Sequence, residues 1–240
     1  MLVDKELTMF KGRIIDLSQE IYNGMPVYPG HLKTVIFTHL SHEECKKNLG
    51  TGFSYETRGI LLCDHGPTHI DSVSHLSRDP EAESIDQLGL EKCITPAVCI
   101  DVSDIPLRTQ FGADKIKSEL DRWGMAIQPG DSVLFYTAHY DRYYGKDEYM
   151  SEYPGLDRSA TEYIIDQGAV NFGVDSPSPD MWYDKSYPCH STCAERRITH
   201  VENLCNLDKL IGKRFTFICL PLKIREGTGS PVRAVAVLDE

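Results

Sequence analysis

Short apolar runs alternate along this chain with segments of helical spacing, and this alternation constrains the fold more than any other feature. Apolar, β-branched or aromatic runs of about four to eight residues between turn residues are typical of strands. Eight such runs predict strands at 13–17, 34–40, 59–62, 97–102, 132–137, 169–174, 215–220 and 232–238. The run at 59–62 is continuously apolar and is interpreted as a buried strand.

Three segments are predicted to be helical. Residues 113–123 place Ile116, Leu120 and Trp123 on one face and are followed by Gly124, a typical residue just after a helix. A second helix is expected at 157–167, with Asp157 or Ser159 as its N-cap and Gly168 as its terminator. The third is expected at 199–204, where Ile198, Val201 and Leu204 recur every three residues.

Strands outnumber helices but alternate with them, which favours a mixed α/β or α+β class. The 240 residues show no linker, no internal repeat and no low-complexity tract. We therefore expect one domain spanning 1–240, long enough to bury a sizeable core.

Three of the nine histidines lie within the 11 residues from 65 to 75, where chance would place about 0.4. They follow an apolar run, at the end of a predicted strand, where sites tend to be built. The segment reads Asp64-His65-Gly66-Pro67-Thr68-His69-Ile70-Asp71-Ser72-Val73-Ser74-His75.

The spacing within this segment favours a metal site. Pro67 disfavours a continuous helix, but a turn leading into a helix capped by Thr68 would bring His65, His69 and Asp71 together. Two imidazoles and a carboxylate suit Zn²⁺, Mn²⁺ or Fe²⁺ and leave positions for water and substrate. The alternative is a set of ordinary loop histidines. Four isolated histidines receive no role, namely His31, His39, His42 and His139.

Other functional classes find little support. The net charge of −11 argues against nucleic-acid and anionic-membrane partners, since both require a basic face. No apolar run is long enough to span a bilayer, and the polar start of the chain, residues 1–13, predicts no secretory signal. The eight cysteines form no Cys-x-x-Cys pair, so buried reduced thiols and a cytoplasmic location are expected, although Cys189 and Cys193 could be soft metal ligands.

The sequence lacks the motifs of two other enzyme classes. The sequence has no Gly-x-Ser-x-Gly elbow and no glycine-rich nucleotide-binding signature. Gly227-Thr228-Gly229 could form an anion nest, but a tight turn is the preferred interpretation.

The histidine segment resembles the His-x-Gly-Thr-His-x-Asp-x-Pro-x-His signature of the cyclase-like metal-dependent hydrolases, a family that includes bacterial kynurenine formamidase and isatin hydrolase. Further similarities run in order along nearly the whole chain. They are Ile15-Asp16-Leu17-Ser18, Gly24-Met25-Pro26-Val27-Tyr28-Pro29-Gly30, Pro154-Gly155-Leu156, the run from Gly173 to Asp180, His190, Glu202-Asn203-Leu204, Leu220-Pro221-Leu222-Lys223 and the run from Gly229 to Ala234.

Two positions depart from that signature. Pro67 replaces a glycine and Val73 replaces the proline, and both could reshape the substrate pocket without removing a ligand.

The resemblance implies a swivelling β/β/α fold, a homodimer or homotetramer, and one or two Zn²⁺ or Mn²⁺ ions. It implies five metal ligands, His65, His69, Asp71, His190 and Glu202, with His75 as the catalytic acid/base. Among nearby residues, Glu202 fits the family pattern better than His200.

The implied activity is hydrolysis of an aryl formamide C–N bond by metal-activated water. Hydrolysis of a cyclic amide or lactone, such as isatin or a dienelactone, is the alternative within the class. A metal-binding protein without turnover is the alternative outside it, and a non-ligating His75 would favour catalysis. Tyr28, Phe53 and Trp182 could line a pocket for an aromatic substrate, although each could equally pack in the core.

Overall fold

The computed structural model describes residues 12–238. The strands of this part of the chain are β1 (Arg13–Asp16), β2 (Val35–Leu40), β3 (Thr57–Leu61), β4 (His69–Asp71), β5 (Ile94–Asp101), β6 (Gln110–Phe111), β7 (Ser132–Tyr136), β8 (Gly155–Leu156), β9 (Asn171–Val174), β10 (Thr199–Glu202), β11 (Arg214–Ile218), β12 (Gly229–Pro231) and β13 (Val235–Leu238). The helices are α1 (His42–Leu49), α2 (Val73–Leu76), α3 (Ala113–Trp123), α4 (His139–Tyr143), α5 (Arg158–Asp166) and α6 (Pro188–Arg196), and 3₁₀ turns lie at Leu90–Lys92, Asp147–Met150 and Leu207–Leu210.

Nine of the strands between residues 12 and 238 form one sheet in the order β1-β13-β11-β5-β7-β9-β10-β4-β12. The central strands β5, β7, β9 and β10 are parallel to one another, and the outer pairs are antiparallel. Helices α3 and α5 connect the parallel strands in sequence. This arrangement confirms the expected mixed α/β class.

Both faces of the sheet are buried, but by different partners. One face packs Val98, Phe135 and Phe172 into a cluster with Ile116 of α3 and Ile164 of α5. The opposite face carries a second cluster with Leu134, Phe217 and Ile70. A parallel sheet covered on both faces explains why its strands read as continuous apolar runs in the sequence.

Two of the predicted helices are confirmed with their ends. Helix α3 ends at Gly124, whose φ of 60° lies in the left-handed region that glycine tolerates. Helix α5 begins after Asp157, whose carboxylate accepts a hydrogen bond from the Ala160 N–H at 2.9 Å. On the apolar face of α3, however, Trp123 is 44% exposed, so Ile116 and Leu120 anchor that helix.

The helix predicted at 199–204 is wrong, because those residues form strand β10. Ile198, Val201 and Leu204 are all buried as expected, but from an extended backbone. Strand β10 lies between β9 and β4, and pairing with both neighbours outweighs the three-residue spacing on which the helix was inferred.

The strand predicted at 59–62 is present, but the prediction that it is buried is wrong. Residues Thr57–Leu61 do form a strand, β3, but it pairs only with β2 in a separate two-stranded sheet within the described residues. Ile60 is 59% exposed and Leu61 is 50% exposed. This hairpin lies outside the nine-stranded sheet, so its apolar run is not covered on both faces.

Strands β4 and β10 position the histidine segment. Their antiparallel register pairs His200 with Asp71, Val201 with Ile70, and Glu202 with His69. Paired residues point to the same side of a sheet, and successive residues alternate between sides. The register therefore brings four ionisable side chains onto one side while Ile70 and Val201 enter the core on the other.

The expectation that no secretory signal precedes the domain rests on residues 1–13, and residues 1–11 lie outside the described part of the chain. None of the helices within residues 12–238 is both long enough and apolar enough to cross a membrane.

Candidate metal centre

His65, His69 and Asp71 meet as the sequence predicts. Each offers one ligand atom, and these atoms lie within 4.8 Å of one another. All three residues are buried, and Asp71 is only 1% exposed. They do not meet through a helix capped by Thr68, as the sequence suggested, because His69 and Asp71 lie on strand β4. Thr68 instead donates its hydroxyl hydrogen bond to the Asn203 carbonyl at 2.6 Å, tying this strand to the end of β10.

The hydrogen bonds of His69 fix which ring nitrogen can bind a metal. Its Nδ1 lies 2.9 Å from the Pro67 carbonyl oxygen, which can only accept, so Nδ1 carries the hydrogen in the neutral ring. Nε2 then presents its lone pair 3.3 Å from Asp71 Oδ1 and 3.4 Å from Glu202 Oε2. A backbone carbonyl behind a ligating histidine is a common orienting contact in metal sites.

His65 is oriented by Thr228. The Thr228 hydroxyl donates to Asp64 at 2.9 Å, so its oxygen accepts from Nε2–H of His65, also at 2.9 Å. The lone pair of Nδ1 consequently faces Asp71 Oδ1 at 2.8 Å. Two acceptor atoms at this distance require a proton or a cation between them, and a metal ion meets this requirement.

Because Gly229 has no side chain, the His65 ring can pack directly against its backbone. A Cβ at this position would lie 2.6 Å from the ring. Gly227-Thr228-Gly229 therefore packs against an imidazole and supplies the threonine that orients it.

Asp71 also belongs to a second group, with His190, His200 and Glu202. Nε2 of His200 lies 3.3 Å from Glu202 Oε1 and 3.5 Å from Asp71 Oδ2. Nε2 of His190 lies 3.5 Å from the same Glu202 oxygen. His190 and Glu202, which the resemblance implied as ligands, thus lie beside the first group although more than 110 residues separate them from it in sequence.

The two carboxylates each face both groups. Asp71 turns Oδ1 toward His65 and His69 and Oδ2 toward His200. Glu202 turns Oε2 toward His69 and Oε1 toward His190 and His200. A carboxylate in this position can bridge two ions, so the donor set fits one or two divalent cations.

The electrostatics of the centre favour a bound positive charge. Burial opposes ionisation of Glu202, but contacts with His200 and His69 lower its pKa to about 2. Burial likewise opposes protonation of His69, yet its contacts with Asp71 and Glu202 raise its pKa to about 10. Within the described residues neither carboxylate forms an ion pair with lysine or arginine, so only the imidazoles face these two charges.

His75 is placed differently from the ligand candidates. It lies on the short helix α2, and its ring stacks on His65 with 3.9 Å between centroids. Its Nε2 is 3.7 Å from Asp71 Oδ2, and its side chain is 34% exposed. Burial lowers the pKa of His75 to about 4, despite the opposing effect of Asp71. The structure therefore presents a neutral imidazole beside the metal centre and outside both groups.

A cavity of about 290 Å³ opens above the centre. The residues of both candidate groups line it, with the exception of His200, and so does His75. The rest of its wall includes Tyr28, His31, Met150 and Tyr187. Of the three aromatic residues proposed for the pocket, only Tyr28 lines it. Trp182 packs edge-on against Tyr28, with 5.7 Å between ring centroids, and Phe53 is 66% exposed away from the cavity.

The two departures from the signature have separate positions. Pro67 lines the cavity, and its carbonyl orients His69. Val73 is buried at the start of α2, the helix that carries His75. Neither displaces a candidate ligand.

The sequence interpretation missed His31, His200 and Asp180. His31 was assigned no role but lines the cavity, with its ring centroid 6.1 Å from that of His65. The family resemblance favours Glu202 over His200, whereas alternation along a strand places both side chains on one side of the sheet. Asp180 accepts hydrogen bonds from His190, and its position in the run from Gly173 to Asp180 was the available signal.

The other isolated histidines and the two candidate cysteines lie outside both ligand groups, although the Cys193 thiol lies beside His200. His139 is buried, and its Nε2 lies 2.8 Å from the Tyr149 carbonyl oxygen. His42, at the start of α1, contacts the Ser54 hydroxyl. Cys189 and Cys193 are buried on α6 and belong to neither candidate group. The structure gives no support to their interpretation as metal ligands.

Residues 15–181 match the model of the family Cyclase, described as "Putative cyclase". Among curated proteins, the chain is 28% identical over 221 residues to a kynurenine formamidase of Bacillus mycoides (strain KBAB4), covering 92% of this chain and 95% of that protein. It is 29% identical over 194 residues to an isatin hydrolase of Roseibium aggregatum, covering 75% and 73%.

Solved structures confirm the fold that the resemblance implied. The structure of isatin hydrolase A from Ralstonia solanacearum superimposes with a TM-score of 0.82 at 26% sequence identity. The superposition covers 95% of this chain and 92% of that one.

Proposed function

Because this chain belongs to the Cyclase family, whose model matches 167 of its 240 residues (15–181), we propose that it is a metal-dependent hydrolase that cleaves the C–N bond of an aryl formamide. The observation that carries this proposal is the position of His75, outside both ligand groups but at the wall of the cavity above them. Similarity to a kynurenine formamidase over 92% of the chain supports the substrate class.

We propose that Zn²⁺ or Mn²⁺ binds here, as one or two ions per chain, held by His65, His69, Asp71, His190 and Glu202. Such an ion, when bound, supplies Lewis acidity toward a carbonyl oxygen and lowers the pKa of a coordinated water.

The chain's own residues then position the substrate and move the proton. His75 is neutral because burial lowers its pKa, so it can accept a proton from water at Nε2. It can next donate that proton to the departing nitrogen, which would otherwise leave as a strongly basic amide anion. Tyr28 and His31 line the cavity and can pack against the aryl group.

Hydrolysis of a neutral cyclic amide is a second candidate, and the cavity lining favours it. No lysine or arginine is among the lining residues between 12 and 238. An amino-acid carboxylate such as that of N-formylkynurenine would therefore enter without a cationic partner, whereas an uncharged ring such as isatin needs none. Similarity to isatin hydrolases in sequence and fold supports this candidate.

A metal-binding protein without turnover is disfavoured by the same geometry. A purely structural centre needs no cavity and no unligated histidine, because protein ligands fill all its positions. Here His65, His69 and Asp71 line an open cavity with His75 beside them.

The decisive experiment measures turnover of N-formylkynurenine, N-formylaniline and isatin by protein loaded with Zn²⁺ or with Mn²⁺. Hydrolysis of a formamide supports the first candidate, and preference for isatin supports the second. No hydrolysis of any of the three by protein with a verified metal content would contradict both.

We further propose that residues 1–240 form one domain, located in the cytoplasm, which assembles as a homodimer or homotetramer. All eight cysteines lie in the described part of the chain and are free, as expected in a reducing compartment. The exposed apolar residues of β2, β3 and the segment between them, among them Phe37, Ile60 and Phe53, support an interface between copies. Size-exclusion chromatography with light scattering would give the number of chains.

A further inference from the structure

His200 occupies a position that its burial alone does not explain. It is fully buried in the strand pairing of β10 with β4, directly opposite Asp71. Its ring stacks on Phe172 with 5.2 Å between centroids and an interplanar angle of 19°. An apolar side chain would suit the Phe172 contact, so the imidazole must be accounted for by what its nitrogens face.

Within residues 12–238, the ionisable side chains closest to Nε2 of this ring are two carboxylates. Nε2 lies 3.3 Å from Glu202 Oε1 and 3.5 Å from Asp71 Oδ2. Nδ1 forms no hydrogen bond within the described residues, although the Cys193 thiol lies beside the His200 ring. The His190 ring stands perpendicular to it, with 4.9 Å between centroids, and also directs Nε2 at Glu202.

We propose that His200 is a metal ligand, so that Asp71 Oδ2, His190, His200 and Glu202 form a second position with four protein ligands. This inference rests on the metal centre of the proposed function. It adds a ligand that completes a tetrahedral number of donors, as in sites closed by protein.

The number of donors distinguishes the two positions. His65, His69 and Asp71 line the cavity, and three protein ligands leave room for water and substrate there. His200 is not among the cavity-lining residues and is 0% exposed. Asp71, His190 and Glu202 also line the cavity, so the second position differs from the first by a fourth donor that comes from the protein interior. An ion held by four protein ligands is expected to exchange more slowly than one held by three.

The variant test compares two buried histidines. His200→Gln and His139→Gln remove one imidazole each, but His139 faces the Tyr149 carbonyl and no carboxylate of the centre. After dialysis of zinc-loaded protein, we expect two zinc ions per chain in wild type and in His139→Gln. We expect His200→Gln to retain one, or to bind the second at least about tenfold more weakly. Two ions bound with wild-type affinity in His200→Gln would overturn the proposal.

A measurement on wild-type protein keeps the proposal testable if His200→Gln does not fold. Protein with ¹⁵N-labelled histidine is loaded with ¹¹³Cd²⁺, and cadmium–nitrogen couplings are counted by NMR. We expect two cadmium resonances, each coupled to two imidazole nitrogens. A second cadmium coupled to one nitrogen, or a single bound cadmium, would refute the role of His200. Protein that binds no cadmium at any site would instead contradict the metal centre of the proposed function.

Discussion

The carboxylate of Asp180 accepts a hydrogen bond from Nδ1 of His190 and so fixes the ring that faces Glu202. The same carboxylate accepts the backbone N–H groups of Cys189 at 2.7 Å and His190 at 3.0 Å, at the start of α6. One side chain therefore satisfies two donors at a helix N-terminus and orients a candidate ligand from that helix.

Asp180→Asn should weaken metal binding at the position that includes His190. The amide retains the shape of the carboxylate but loses the charge that strengthens the imidazole as a donor, a loss that typically costs about 10–100-fold in metal affinity. Zinc affinity measured by competition with a chelator checks this expectation. Wild-type affinity in Asp180→Asn would show that this contact serves only the helix.

His75→Ala should keep the metal and lose most turnover. The ring lies outside both ligand groups, and proton transfer of this kind is worth about 10²–10⁴ in rate. His69→Ala is the matched variant, because it removes a histidine that faces Asp71 and Glu202 and should lose metal as well as activity. Equal metal loss in both variants would contradict the separation of roles.

Glu202→Gln and His190→Ala should both lower metal content and turnover. Glu202 faces three imidazoles and is 6% exposed, so the amide removes a buried negative charge that a cation would balance. The control is His139→Ala, because His200 lies within the centre and cannot serve as an outside reference. Glu202→Gln with wild-type metal content and rate would remove Glu202 from the site.

Exhaustive chelation should abolish hydrolysis, and re-addition of Zn²⁺ or Mn²⁺ should restore it. The expectation follows from the buried carboxylates of Asp71 and Glu202, which within residues 12–238 are surrounded by imidazoles and offer oxygen ligands to a cation. Atomic emission of the treated protein must verify that the metal has gone. Full activity in that sample would refute the proposed chemistry.

Asp175→Asn should change how stability depends on pH. Burial raises the pKa of Asp175 to about 7, although the N–H and hydroxyl of Thr137 partly oppose the shift. The folded pKa of Asp175 exceeds the unfolded value, which is near 4, so between about pH 4 and pH 7 the folded protein binds a proton that the unfolded chain has released. The free energy of unfolding therefore falls as pH rises from about 4 to about 7. Asparagine cannot ionise and removes this loss.

Urea unfolding of both proteins at pH 5 and pH 8 tests this expectation. Wild type should lose about 2–3 kcal/mol more than Asp175→Asn between the two pH values, by 1.36 kcal/mol per pKa unit. Comparing wild type with the variant cancels the effect of other titrating groups on the free energy of unfolding. One of these is His139, whose pKa burial lowers to about 4, so it destabilises the folded protein as pH drops below about 6.5. Parallel pH profiles would contradict the raised pKa.

Local chemistry accounts for the parts of the fold and site that were predicted. Helix α3 and the residue after it follow from side-chain spacing and from Gly124, both of which act within one or two turns. The grouping of His65, His69 and Asp71 is favoured by their closeness in sequence, although seven extended residues can span about 20 Å, so the chain must also turn between His65 and His69. Reasoning from the sequence nevertheless gave the wrong local structure, a helix capped by Thr68, for a correct grouping.

His200 shows why the rest could not be predicted. Its chemistry is not local, since the nearest member of the first group, Asp71, is 129 positions away in the sequence. Ile198, Val201 and Leu204 carry a spacing compatible with a helix, and only the pairing with β9 and β4 selects the strand. In a helix at 199–204, His200 and Glu202 would point in different directions.

By itself the sequence indicated the types of candidate ligand, their local spacing, the class of the fold and, through a family resemblance, the distant candidate ligands His190 and Glu202. The tertiary structure alone decided that Asp71 and Glu202 each face two groups of histidines, that His200 joins them and that His75 remains outside. The physical reason is the register of β4 against β10, since a shift by one residue would turn every ionisable side chain of the pair toward the core.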